Sequence, residues 1–135
     1  MKTIKFYLSA VLFLTLIILS CSSDYTKSLG NGYYYRHEGD ELNDIYNEKP
    51  NPNGREIPAN VVAYDFDDDF IIAKQKPKLP QDPLYDKDYK YDRGDKEFYY
   101  WIIIHKKKLI LGPLDFDKYK LVRKENNVPE DLILK

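Results

Sequence analysis

The sequence predicts an α+β domain: a mostly antiparallel β-sheet of about five strands, built on two hairpins and followed by a short C-terminal helix. Three observations carry that expectation. β-Prone runs flank a polar tip within 61–75, a second pair flanks another tip within 98–111, and apolar residues at i, i+3 and i+6 follow an aspartate at 115. The chain of 135 residues is the length of one ordinary domain.

The folded domain is expected over residues 29–135. Leu29-Gly30-Asn31-Gly32 is a turn cluster, and Tyr33-Tyr34-Tyr35-Arg36-His37 after it has the aromatic enrichment of a strand. Between 42 and 48 a short strand around Ile45 and Tyr46 is favoured over a helical turn, because Pro50, Asn51, Pro52 and Gly54 stop anything longer. Residues 61–66 and 70–75 then flank Asp67-Asp68-Asp69 as a hairpin. Alternation places Val62, Tyr64 and Phe66 on one face, with Val61, Ala63 and Asp65 on a lighter face nearer solvent.

Residues 76–97 hold Pro77, Pro80, Pro83 and Gly94 among alternating charges and read as a long surface connection. Loops of that length are often functional, although a polar, proline-rich connector without a role is the favoured reading. The second hairpin pairs 98–104 with 109–111 around His105-Lys106-Lys107-Lys108. Its first strand is apolar on both faces, as suits the middle of a sheet covered on two sides. Gly112-Pro113 is expected to end the second strand, and Asp115 to cap a helix through Phe116, Tyr119 and Val122 to about Asn126. Pro129 starts one further turn before Leu132-Ile133-Leu134 packs down.

Ahead of the domain, Lys2 and Lys5 precede an apolar run at 6–19 that closes on Ile18-Leu19-Ser20-Cys21. This is the charged, apolar, small-residue order of an export signal, and the run is shorter than the ~20 residues a membrane span needs. The leader resembles that of bacterial lipoproteins: Ile18 matches the aliphatic position of the lipobox, Ser20 the small residue before cleavage, and Cys21 the acceptor, while Leu19 is the weakest match. The resemblance implies residues 1–20 as a signal peptide, cleavage before Cys21, and lipid on the Cys21 sulfur as the link to a membrane in the cell envelope. Residues 21–28 then read as a polar tether. In layout the chain is similar to small lipoproteins of bacterial genomes that have no assigned activity.

The residues mark little chemistry. Cleavage would remove Lys2 and Lys5 from 21 basic residues, leaving 19 against 22 acidic ones, so phosphate-rich nucleic acid is not an expected partner. One cysteine precludes an internal disulfide, and no serine follows Ser28, which leaves a Ser-His-Asp site without a positioned nucleophile. The Asp67-Asp68-Asp69 run lacks the glycine and glutamate of a calcium loop and reads as a solvated turn. His37 and His105 sit in no ligand spacing, and His105 beside three lysines is expected to be a surface hairpin residue held neutral by their field. No cofactor or metal is expected.

Tyrosine is the feature that points to recognition, since it joins apolar area to a polar tip. Tyr33, Tyr34, Tyr35, Tyr85, Tyr89, Tyr91, Tyr99 and Tyr100 are the candidate binding surface for a peptide, a glycan or an envelope protein. The leading expectation is a non-enzymatic, membrane-anchored protein displaying that surface. The alternatives are a small envelope hydrolase using carboxylates and an inhibitor or immunity-type protein.

Overall fold

A computed structural model describes residues 23–135; the leader, the lipobox and Cys21 lie outside the described residues. Among the described residues eight strands form: β1 (Tyr25–Gly30), β2 (Tyr33–His37), β3 (Asp44–Asn47), β4 (Glu56–Ile57), β5 (Val61–Phe66), β6 (Phe70–Gln75), β7 (Tyr99–Ile104) and β8 (Leu109–Leu114). One helix, α1 (Phe116–Glu125), follows them. The strands make two antiparallel sheets of four, β1-β2-β3-β4 and β5-β6-β7-β8, where one sheet of about five was expected.

Both expected hairpins are present as β5-β6 and β7-β8, and the short strand expected within 42–48 is β3. The additional strands lie where side-chain pattern is weakest. β1 takes its first four residues from the segment assigned above to the tether and its last two from the turn cluster, and Leu29 is its one buried side chain. As an edge strand it is held by backbone pairing to β2, from Tyr25 opposite His37 to Gly30 opposite Tyr33, which polar residues permit but do not announce. β4 is two residues long.

Strand alternation divides the apolar residues between two cores. Tyr33, Tyr35, Ile45 and Ile57 from the first sheet meet Val61, Ile71, Ala73, Trp101 and Ile103 from the second. On the other side of the second sheet, Ile72, Ile102 and Ile104 pack with Leu114, Tyr119, Val128 and Leu132. The β6 and β7 strands are therefore a middle layer buried on both faces, as the unbroken apolar run of β7 required. Each fully buried isoleucine contributes roughly 1.5–3 kcal/mol relative to an exposed one.

Two register shifts alter the expected faces. Pairing of β5 with β6 slips between Val61 and Ala63, so Val61 is 1% exposed and Val62 44%, the reverse of simple alternation. Tyr64 and Phe66 still pack on the core between the sheets. β8 does not stop at Gly112-Pro113 but continues to Leu114, with a shift against β7 between Tyr100 and Ile102. Pro113 is tolerated because β8 is an edge strand and a missing donor there breaks no inner ladder.

The Asp115 carboxylate caps α1, with Oδ1 accepting from the Lys118 N–H at 2.8 Å. Tyr119 is buried beneath the helix, and Arg123 donates to the carbonyls of Pro129 (2.6 Å) and Leu132 (3.0 Å), fixing the terminal segment. That segment reaches β5, where the Ile133 N–H donates to Asp65 Oδ2 at 2.9 Å and the Tyr64 N–H to the Lys135 carbonyl at 3.1 Å. Among the described residues no helix is long and apolar enough to cross a membrane.

Gly112 has φ of +153°, and a Cβ there would lie 2.4 Å from a ring carbon of the fully buried Trp101. Gly112→Ala is expected to destabilise the fold by about 3 kcal/mol in urea unfolding, because the indole has nowhere to move. Gly94→Ala, at φ +72° with open space around it, carries only the backbone penalty and loses about 1 kcal/mol.

Candidate functional site

The outward face of the first sheet is polar where its inward face is apolar. Tyr34 and Arg36 on β2 lie opposite Tyr46 and Asp44 on β3, and Glu56 on β4 lies opposite Tyr46. Arg36 grips Asp44 with two bonds, Nε to Oδ1 at 3.0 Å and Nη2 to Oδ2 at 2.6 Å. Its guanidinium also sits 5.0 Å from the Tyr46 ring, which stacks at 5.7 Å on Tyr34. The Asp44 side chain is 2% exposed. Its hydrogen bonds to Arg36 hold that guanidinium well above its ordinary pKa.

The third bond to Asp44 comes from the long connection. The Tyr85 hydroxyl donates to Asp44 Oδ2 at 2.9 Å and accepts from the Ala59 N–H at 3.1 Å. Burial, then the charge of Asp44, pushes the Tyr85 phenol up, so it stays a donor. Tyr89 meets Trp101 edge-on at 4.8 Å and donates to the Glu56 carbonyl at 3.3 Å, closing the gap between β4 and β7. The Tyr91 hydroxyl accepts from Gln75 Nε2 at 2.9 Å, while Gln75 Oε1 accepts from Trp101 Nε1 at 2.7 Å. Burial pushes Tyr89 and Tyr91 up to about 12.

These positions correct the tyrosine surface expected from sequence. Tyr33, Tyr35 and Tyr99 are buried, because alternation turns them toward the interior. Tyr85, Tyr89 and Tyr91 pin the connection to the body of the protein, and Tyr100 packs against Phe116 and Tyr119 of α1 at 5.2 and 5.0 Å. Tyr34, beside Tyr46, is the member of the eight that remains on an outward sheet face. The connection is likewise more than a polar spacer: its tyrosines are structural.

What the pinned connection displays is aliphatic. Leu84 is 88% exposed, and Leu42 and Leu79 are also exposed. Leu42 and Leu79 line a cavity of about 450 Å³ with Pro58, Pro80 and Pro83. A second cavity of about 490 Å³ adjoins it over the first sheet and shares Leu42, Ala59, Asp82 and Tyr85 with it. Glu38, Asp44, Glu48, Glu56 and Asp82 line this second cavity against Arg36 and Arg55. Arg55 pairs with Asp86, its Nη2 at 2.8 Å from Oδ1. Burial raises the Glu56 pKa, partly offset by the Asp86 N–H that donates to its Oε2 at 3.1 Å.

Neither half of this surface was legible as a motif. The Arg36–Asp44 pair is eight residues apart in sequence and meets through strand register, and no local spacing marks it. Leu79 and Leu84, the two aliphatic side chains in a polar, proline-rich stretch, were the one available signal.

The acidic hairpin tip serves its own turn. Asp67 Oδ1 accepts from the N–H groups of Asp69 (2.8 Å) and Phe70 (2.7 Å), so the acidic run builds its own turn. Asp69 also pairs with Lys106 at 3.3 Å. Among the described residues no group of three or more His, Cys, Asp and Glu is placed to hold a metal. His37 stacks on Tyr25 and His105 lies against Tyr33, at opposite ends of β2.

His105 is partly buried rather than a free surface residue, and both ring nitrogens are buried without a hydrogen-bond partner among the described residues. Burial, not the neighbouring lysines, lowers its pKa below 6.5, against the opposing pull of Asp67, Asp69 and Asp68. The folded state therefore takes up this proton less readily than the unfolded chain. The urea midpoint should fall as pH drops below about 6.5, and wild type should gain stability relative to His105→Gln as pH rises toward about 7.5. Glu56 contributes the opposite slope, losing stability as pH rises from about 4.5, and cancels in that difference.

No curated protein and no solved structure matches this chain. Residues 30–135, which include β2 to β8, α1 and the cleft just described, match the family model for a protein of unknown function, DUF3997, and the chain belongs to that family.

Proposed function

We propose that this is a bacterial lipoprotein, held to an envelope membrane by lipid on Cys21, whose domain does no chemistry and displays a binding surface to another envelope protein. The observation that carries the display half is the pinned connection: Leu84 stands 88% exposed on a segment whose neighbour Tyr85 is locked to Asp44. An apolar side chain held in water on a fixed backbone favours a partner that covers it, since little ordering remains to oppose association. The anchoring half is supported by Ile18, Ser20 and Cys21 behind an apolar leader.

A small hydrolase is the second reading, and one feature favours it: Asp44 and Glu56 line the same cavity and both are largely removed from water. Against it, Asp44 already accepts two bonds from Arg36 and one from Tyr85, an arrangement that suits an anchor better than a base or nucleophile. An inhibitor or immunity-type role is a special case of display in which the partner is an enzyme.

Cells fed an alkyne-tagged palmitate and carrying a photo-crosslinking residue at position 84 test both halves together. The expected result is lipid label on wild type and none on Cys21→Ala, with crosslinks from position 84 and none from the exposed Leu121 on α1. Label that persists in Cys21→Ala contradicts anchoring, and an absence of crosslinks from position 84 contradicts display. Turnover of an envelope glycan that is lost in Glu56→Gln would favour the hydrolase instead.

A further inference from the structure

We propose that the partner enters this surface with a basic polypeptide segment, its cation lying over the first sheet and an adjacent aliphatic side chain filling the leucine and proline cavity; this rests on the display reading above.

Charge supplies the first argument. The cavity over the sheet is lined by five carboxylates and two guanidiniums, and both guanidiniums are already engaged, Arg36 by Asp44 and Arg55 by Asp86. Glu48 and Asp82 have no ion-pair partner among the described residues, and the nearest cation to Glu56 is Arg55 at 3.9 Å. Asp82 Oδ1 is occupied only by the Leu84 N–H at 2.9 Å. A cleft with this surplus repels phosphate, nucleic acid and anionic lipid headgroups, and attracts lysine or arginine.

Shape supplies the second. The adjoining cavity, about 450 Å³, is walled by Leu42, Leu79 and three prolines, with Lys78 its single cation, and shares Leu42 and Tyr85 with the acidic one. A ligand that uses both must carry apolar bulk beside its charge. A polyamine has the cation without the branched aliphatic group, and a free fatty acid has the wrong sign. A polypeptide with a leucine-type residue next to a lysine satisfies both cavities, and the proline-stiffened wall limits the ordering that binding requires.

The test uses the full lipidated chain in phosphatidylcholine nanodiscs, with empty nanodiscs subtracted. Three fluorescein-labelled octapeptides serve as probes: one alternating Leu and Lys at its centre, one Leu and Glu, and one Ser and Lys. Anisotropy should show the Leu/Lys peptide binding at least about ten-fold tighter than either other, with the advantage shrinking in high salt. The exposed double substitution Glu48→Lys with Asp82→Lys should remove that advantage, as should Leu42→Asp, while circular dichroism stays unchanged. If the Leu/Glu peptide binds equally well and is lost in Leu42→Asp, the basic partner is overturned and display survives. If Glu48→Lys with Asp82→Lys changes nothing, or no peptide binds, the proposal is overturned and display stands on the crosslinking result alone.

Discussion

A carboxylate taken out of water has to be compensated where it lies, and in this protein that constraint falls on Asp44. Two bonds from Arg36 and one from Tyr85 meet it. Removing Arg36 leaves a buried charge whose penalty is several kcal/mol, whereas removing the Tyr85 hydroxyl takes away one bond of the three. The consequences run in two directions. Arg36 sets the register of β2 against β3, and Tyr85 fixes a connection of more than twenty residues that has no regular secondary structure of its own.

The middle layer gives this node its platform. Because β6 and β7 are buried on both faces, the domain needs a cover on each side, and the first sheet is one of the two. Its inward residues belong to the core, so its outward residues are free to be polar. Gln75 ties the layers to the connection, since it bonds Trp101 within the core and Tyr91 outside it. The exposed Leu79 and Leu84 thus stand on a segment anchored through Tyr85, Tyr89 and Tyr91 to three different parts of the body, and their positions are inherited from the core.

Sequence reasoning reached the parts whose signal is local. Val61–Phe66, Phe70–Gln75 and the Asp67 tip form a hairpin because β-branched and aromatic runs meet a turn former, and Asp115 caps α1 because its carboxylate is one turn from the Lys118 amide. The strand β7 also announced that both its faces are covered. What covers them was not legible: the same isoleucines suit a helix or a second sheet. β1 was missed because backbone pairing leaves no mark on Thr26, Lys27 and Ser28. The tyrosines were misplaced because composition counts rings without orienting them, and period-two alternation turned Tyr33 and Tyr35 inward while Tyr34 stayed out. The cleft was hidden for a related reason, since Arg36, Asp44, Glu56 and Tyr85 converge only after register and a long closure are both in place.

Amide hydrogen exchange of wild type and Tyr85→Phe tests most directly whether the buried Asp44 node holds the connection. That substitution deletes one hydroxyl and leaves the ring, so it removes a bond to a charged group of roughly 1.5 kcal/mol or more with little change in packing. The account predicts that amides across 77–97 exchange about ten-fold faster while those of β6 and β7 keep their protection. Unchanged exchange in the connection would contradict it, as would an equal loss of protection in the middle layer.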